Sequence, residues 1–184
     1  HSPQIQGFFT IPFDHLTAGS LLIDYFQEKR IEDRTIVASD IGAAKQANTY
    51  ANWMGRPLAI MDKRRLANND QAEITHFVGE VEGRNALIID DEISTAGTLL
   101  ATVNALKNHG VKDIYIGCTH AAFVGPAVER LQKLPIKQLV VTDTVPLAPE
   151  HNIPSLHLLS VAPLLARAIH RIHCGQSVSA LFSR

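Results

Sequence analysis

Asp90 and Asp91 stand side by side after the apolar run Ala86-Leu87-Ile88-Ile89, and the small-residue stretch Ser94-Thr95-Ala96-Gly97-Thr98 follows almost at once. Adjacent carboxylates repel each other, so two of them at the end of a strand-like run call for a partner. An ionised carboxylate only accepts hydrogen bonds, and the vicinal hydroxyls of a sugar are suitable donors. The loop has the opposite character. It opens an apolar helical pattern, where free backbone N–H groups and the helix dipole favour an anion. Gly97 lets a ligand approach the backbone, and the Thr95 and Thr98 hydroxyls add donors. A ligand with a diol at one end and a phosphate at the other satisfies both halves, and a sugar phosphate is such a ligand. Taken alone, the loop fits equally a surface turn in which Ser94 or Thr95 caps the helix. It is not a Walker A loop, because G-x-x-x-x-G-K-[ST] is absent.

Other residues carry candidate chemistry. Asp40 ends the run TIVASD (35–40) and enters a Gly-containing loop. An acid there reads either as a functional ligand or as a helix N-cap. Asp62-Lys63-Arg64-Arg65 reads either as a solvated basic turn or as a loop that closes over a substrate. His170 and His173 lie three apart with no acid or cysteine cluster to complete a metal site, so they read as surface or packing residues. His120 falls at a strand end without an assigned role.

These residues need elements to position them. TIVASD (35–40), RPLAIMDK (56–63), ALIID (86–90), KDIYIGCTHA (112–121), QLVVTDT (138–144) and SLHLLSV read as strands. THFVGEVEGRN reads as a strand pair around a turn at Glu82-Gly83. IGAAKQANTYANWMG (41–55) reads as a helix closed by Gly55, and Leu99, Val103 and Leu106 mark a second helix ended by Gly110. GPAVERLQKL is a short helix. APLLARAIHRIHCG is a closing helix with Leu164, Leu165, Ala168 and Ile172 on one face. Strands alternating with helices predict an α/β fold, a mostly parallel doubly wound sheet covered on both faces. Ligands of such sheets gather at the carboxyl ends of strands, where Asp40, Asp90, Asp91 and Asp143 are expected.

The chain has 184 residues, 46% of them hydrophobic and 19% charged, which suits one domain with a substantial core. A net charge of −1 lacks the basic surplus of a nucleic-acid binder. There is no apolar run of about 18 residues and no signal-peptide pattern, so no membrane partner is expected. Cys118 and Cys174 form no CxxC pair and read as reduced thiols of a cytoplasmic protein.

Four hydrophobics, two acids and a loop ending in Gly-Thr resemble the phosphoribosyl-diphosphate motif of the type I phosphoribosyltransferase fold. HSPQIQGFFTIPFDHLTA, VASDIGAAKQA, AIMDKRR, VGEVEGRNALIIDDEISTAGT, FVGPAVERL, LVVTDTVP and SVAPLLARAIHRIHCGQSVSALF are similar, in that order, to the ribose-phosphate pyrophosphokinase family. The match runs essentially from end to end. Family proteins are longer, so the chain resembles their C-terminal portion. Residues 1–13 would be the remnant of a preceding N-terminal domain, and 14–184 a phosphoribosyltransferase-like domain including the closing helix.

The resemblance implies transfer of the diphosphoryl group of ATP to ribose 5-phosphate, giving phosphoribosyl diphosphate and AMP, with Mg2+ as cofactor. Asp90 and Asp91 would bind the ribose hydroxyls, and Ser94, Thr95, Ala96, Gly97 and Thr98 the 5-phosphate. Asp40, Ile41, Gly42 and Ala43 would form the pyrophosphate loop, with His1 and Asp40 at the metal. Lys63 and Arg65 would be the catalytic pair. Gln6, Asp14, Ser177 and Phe182 match an allosteric phosphate and nucleotide site. The family often has an acid at Ser94 and a second glycine at Ala43, and Pro3 and His15 depart from its commoner pattern. A homo-oligomer is implied, and these residues alone are expected to be inactive or weakly active. Two rivals are a non-catalytic regulatory homologue and a base-specific phosphoribosyltransferase. The intact Lys63, Arg65, Asp90 and Asp91 weigh against the first, and DKRR with the QIQGFF and SVSALF ends against the second.

Overall fold

Runs rich in Ile, Val and Leu form strands because branched side chains pack well on a pleated surface. The computed structural model describes residues 3–65, 73–149 and 151–182. Its strands are β1 (Arg34–Ala38), β2 (Leu58–Arg65), β3 (Glu73–Val78), β4 (Asn85–Glu92), β5 (Ile114–His120), β6 (Gln138–Thr142) and β7 (Leu156–Leu159). Its α-helices are α1 (Gly19–Glu28), α2 (Ala44–Met54), α3 (Gly97–Asn108), α4 (Ala127–Lys133) and α5 (Ala162–His173). Short 3-10 helices cover Pro3–Phe8 and Val178–Leu181.

One sheet orders the strands β3-β2-β1-β4-β5-β6-β7, all parallel except the edge strand β3. The strand period of two divides the core between the faces. Ile36, Ala38, Leu87 and Ile89 pack on one side with Leu22, Ile23 and Phe26 of α1 and Ala47, Tyr50 and Met54 of α2. Val37, Ala86, Ile88, Ile114 and Ile116 face the other side, against Leu99, Val103 and Leu106 of α3 and Leu131 of α4. The doubly wound parallel architecture expected from the sequence is the one observed.

Several details differ from the sequence reading. The THFVGEVEGRN stretch is not a hairpin. β3 ends at Val78 and pairs antiparallel with β2, while Glu82-Gly83 only turns the chain into β4. α1 falls in a stretch to which the sequence reading assigns no element. It starts at Gly19-Ser20 without a side-chain cap, so its ends carry no compositional mark. On α5 only Leu164 and Ala168 are buried, whereas Leu165 and Ile172 are exposed. Gly55 does close α2 in the left-handed conformation, φ 59°.

Candidate functional site

The sheet order reverses at β1 and β4. The chain leaves β1 through α2 toward β2 on one side, and leaves β4 through α3 toward β5 on the other. Loops departing in opposite directions open a crevice at the strands' carboxyl ends. A cleft of about 470 Å³ lies there, lined by Asp40, Gly42, Ala43, Asp90, Asp91 and all five residues from Ser94 to Thr98. Of the residues expected in the pyrophosphate and sugar-phosphate loops, only Ile41 stays out of this lining, with its side chain 69% exposed.

The paired acids are not equivalent. Asp90 is half-buried and its Oδ1 accepts the backbone N–H of Asp91 at 2.8 Å. Burial pushes its carboxyl above the ordinary value. The Asp91 N–H draws it back, and the Asp91 and Asp40 carboxylates push it further up. Asp91 accepts from a side chain instead: Gln46 Nε2 donates to its Oδ1 at 2.8 Å. The same Nε2 donates to the Tyr50 hydroxyl at 2.7 Å. Tyr50 is buried, and its phenol is pushed up to about 12, chiefly by that burial. Cys118, buried in β5 opposite Asp90, is also pushed up by burial and so has no thiolate character near neutrality.

The loop after the acids is held from outside. Ile93 donates from its backbone to His120, while Phe123 and Val124 donate to the carbonyls of Ile93 and Ser94, all three at 3.0 Å. Arg130 Nη1, from α4, donates to the Thr95 carbonyl at 2.8 Å. Ile93 and Ala96 are buried beneath the loop. Neither Ser94 nor Thr95 caps α3. The N-cap is Ala96, left-handed at φ 58°, with no side-chain hydrogen bond to the helix N–H groups. A non-glycine residue in that region is uncommon and costs on the order of 1–3 kcal/mol. The surface-turn reading therefore loses its capping residue, and the first-turn donors of α3 face the cleft without a side chain claiming them.

The loop after β1 is simpler. Asp40 Oδ1 accepts the Ala43 N–H at 2.8 Å, just ahead of α2, whose N-cap is Ala43. The N-cap reading of Asp40 is thus half met, one carboxylate oxygen serving the helix entrance. Gly42 permits this close return, since a Cβ there would come 3.2 Å from Asp40 Oδ1.

A second cavity of about 700 Å³ adjoins the cleft and shares Gln46 and Asp91 with it. His15, Thr17, His120, Thr144, Leu164 and Leu165 contribute to its walls. His120 is engaged there, with Nδ1 2.9 Å from Thr144 Oγ1. Asp143 does not join the cleft. It lies one residue past β6, where its Oδ1 accepts the Val161 N–H at 2.8 Å at the entrance to α5, and hydrogen bonds from Ser160 and Val161 hold its carboxyl below the ordinary value. His170 and His173 are exposed, His170 beside Cys174.

Lys63 and Arg65 lie on the backbone of β2, and their side chains fall outside the described residues, as does His1. β2 pairs with β1 only as far as Ile60, opposite Ala38, while its residues through Arg65 pair with β3 alone. A two-stranded ribbon thus runs past the end of β1 that carries Asp40. Gln6 and Asp14 are exposed on the N-terminal segment, and Ser177 and Phe182 flank the last 3-10 helix. None of the four lines either cavity at the sheet mouth. Among the described residues no group of three or more His, Cys, Asp or Glu could hold a metal by itself, and no helix is long and apolar enough to cross a membrane.

Sequence reasoning missed Gln46, Tyr50 and Arg130. Gln46 and Tyr50 share a helix face at the i, i+4 spacing, but nothing local marks either for the acids.

Residues 64–183 match the family model described as the phosphoribosyl synthetase-associated domain. The chain is 48% identical over 184 residues to a ribose-phosphate pyrophosphokinase of Caldanaerobacter subterraneus and 49% identical over 183 residues to that of Bacillus subtilis. Each match takes in 100% of this chain but only 58% and 57% of the relative, so the chain spans little more than half the length of the curated relatives it matches. The crystal structure of phosphoribosylpyrophosphate synthetase from Mycobacterium smegmatis superposes with a TM-score of 0.85 at 36% identity, over 95% of this chain and 56% of that one.

Proposed function

The chain belongs to the ribose-phosphate pyrophosphokinase family, and on that premise we propose that its cleft binds ribose 5-phosphate for transfer of a diphosphoryl group from ATP. One observation carries this reading: twin carboxylates and an uncapped, pinned loop share one cleft at the sheet's switch point. Asp90 and Asp91 accept the ribose hydroxyls. The 5-phosphate sits on the backbone donors and hydroxyls of Ser94–Thr98, far enough from the acids to limit repulsion.

In the reaction, the anomeric oxygen bonds to the β-phosphorus of ATP, the α,β-bridging bond breaks, and AMP leaves with its electron pair. The proton of the anomeric hydroxyl is released to solvent. No covalent protein intermediate is needed, so positioning and electrostatics carry the catalysis. Lys63 and Arg65, on the ribbon beyond β1, supply cationic charge to the diphosphoryl oxygens. Mg2+ is commonly held by one or two carboxylates together with substrate phosphates and water. Asp40, a hard oxygen donor at the cleft mouth, would hold the ion in that manner, with His1 the second ligand that the family resemblance implies. When bound, the ion neutralises charge on the phosphate oxygens.

Exposed Leu165, Ile169 and Ile172 on α5 support assembly into a homo-oligomer, and exposed Phe8 and Ile11 support reading residues 1–13 as the remnant of a preceding N-terminal domain. A cytoplasmic location and an allosteric role for Gln6, Asp14, Ser177 and Phe182 belong to the same proposal.

Calorimetric titration tests the reading. Ribose 5-phosphate should bind more tightly than either ribose or inorganic phosphate. Equal affinity for ribose 5-phosphate and phosphate would remove the diol from the site. In a catalytically competent chain, Lys63→Ala should lower turnover on the order of 100-fold or more while leaving ribose 5-phosphate binding nearly intact.

A further inference from the structure

Asp91 is the acid of the pair that a side chain from another element reaches. An ionised carboxylate on a short side chain keeps two rotatable bonds, and one that must meet a particular sugar hydroxyl benefits from being held. The structure supplies a holder. Gln46 reaches from the first turns of α2 and donates from Nε2 to Asp91 Oδ1 at 2.8 Å and to the Tyr50 hydroxyl at 2.7 Å. A carboxylate cannot donate, so the amide presents its NH2 end to Asp91, and its two hydrogens serve the two partners.

Tyr50 in turn is held by packing. It is 4% exposed, and its ring packs on Trp53 at 6.1 Å between centroids. The ring also fills the space over Gly19, where a Cβ would come 2.5 Å from the hydroxyl oxygen. Tyr50 stays protonated at neutral pH and keeps its hydroxyl as an acceptor for Gln46. Gln46 holds Asp91 without contributing a positive charge. The acid keeps its full strength as an acceptor, which a lysine or arginine at that position would partly neutralise.

We propose that Gln46, seated on Tyr50, is the positioning residue that aims Asp91 at a ribose hydroxyl and so helps set the preference for a diol-bearing phosphate over phosphate alone. The inference rests on the sugar-phosphate reading of the cleft and deepens it. It concerns discrimination between ligands and assigns Gln46 no contact with the phosphate, which lies with the loop beyond Glu92.

Titrations of ribose 5-phosphate and of inorganic phosphate, run on the unsubstituted chain and on Gln46→Leu, Gln46→Glu and Tyr50→Phe, separate the possibilities. Gln46→Leu should weaken ribose 5-phosphate about tenfold. Gln46→Glu keeps the shape but sets a carboxylate against Asp91, and should weaken it more. Tyr50→Phe frees the amide without touching Asp91 and should cost about threefold. Inorganic phosphate should bind all four chains alike, and that split is the signature of positioning, because general loosening would reduce both ligands together. NMR supplies a readout that needs no ligand: the Gln46 side-chain amide protons should exchange slowly in the unsubstituted chain and faster in Tyr50→Phe.

The relay is overturned if the Gln46 variants hold ribose 5-phosphate as the unsubstituted chain does, or if both ligands weaken in the same proportion. If the unsubstituted chain binds phosphate but shows no preference for ribose 5-phosphate, while the Gln46 protons stay protected, the sugar-phosphate reading fails first and takes this inference with it.

Discussion

The loops after β1 and β4 have the same plan, an acid at a strand end followed by small residues and a helix, yet they are built to different tolerances. The β4 loop sits on buried Ile93 and Ala96, is tied by backbone hydrogen bonds to the loop after β5, and is clasped by Arg130. The β1 loop relies on Asp40 reaching back to Ala43 and on the Ala44 N–H donating to Ile41 at 3.2 Å, with Asp40 and Ile41 exposed. Preorganised donors act without rearranging when the ligand arrives, whereas a lightly held loop can adapt to it. On the proposed function, the β4 loop would suit a constant feature of the ligand, the 5-phosphate, and the β1 loop a group that arrives with a second substrate.

The largest effect should come from loosening the rigid member of the pair. Arg130→Met removes the clasp on the Thr95 carbonyl, and phosphate and ribose 5-phosphate should both weaken, by about tenfold. Unchanged affinity for both would mean that the backbone ties suffice and that Arg130 is ornamental.

A smaller effect is expected at the acids. Asp90 has its pKa raised in the fold, so its ionisation opposes folding. Its favourable contribution is present below the unfolded-state pKa and is lost as pH rises through the folded value. Asp90→Asn should therefore raise the melting temperature near neutral pH, by about 0.5–2 kcal/mol of stability, while weakening ribose 5-phosphate. In the unsubstituted chain, binding should fall away as acidification protonates Asp90, at a higher pH than an ordinary aspartate would give. A melting temperature lower than that of the parent would contradict the burial cost assigned to this carboxylate.

The smallest effect should come from the adaptable loop. Gly42→Ala crowds Asp40 by a few tenths of an ångström at an exposed turn, and ribose 5-phosphate binding should change less than twofold by calorimetry, within the range of a surface substitution. A loss as large as that of Arg130→Met would erase the distinction between the loops.

Much of this plan was legible from local pattern. The apolar runs of β1, β4, β5 and β6 are buried on both faces and read as continuous strands, and Gly55 and Gly110 marked the helix ends. Asp90 and Asp91 announced themselves because like charges after an apolar run are unusual. What escaped was contact between residues distant in sequence. Arg130 reaches Thr95 across 35 positions and Gln46 reaches Asp91 across 45, and neither carries a local signature. β3 was misread because a short strand shows its alternation but not which neighbour it will pair with. Asp143 has the right address at a strand end, yet its carboxylate turned to the entrance of α5, a choice set by tertiary packing.

The two cavities at the sheet mouth meet at Gln46 and Asp91, the side chains that line both. Together they act as a party wall between the two. A molecule long enough to lie across it, anionic at one end for the turn that starts α3 and apolar at the other for Leu164 and Leu165, would occupy both rooms at once. Ligands built on that outline would gain their hold from the chamber that a sugar phosphate, on the proposed function, does not need.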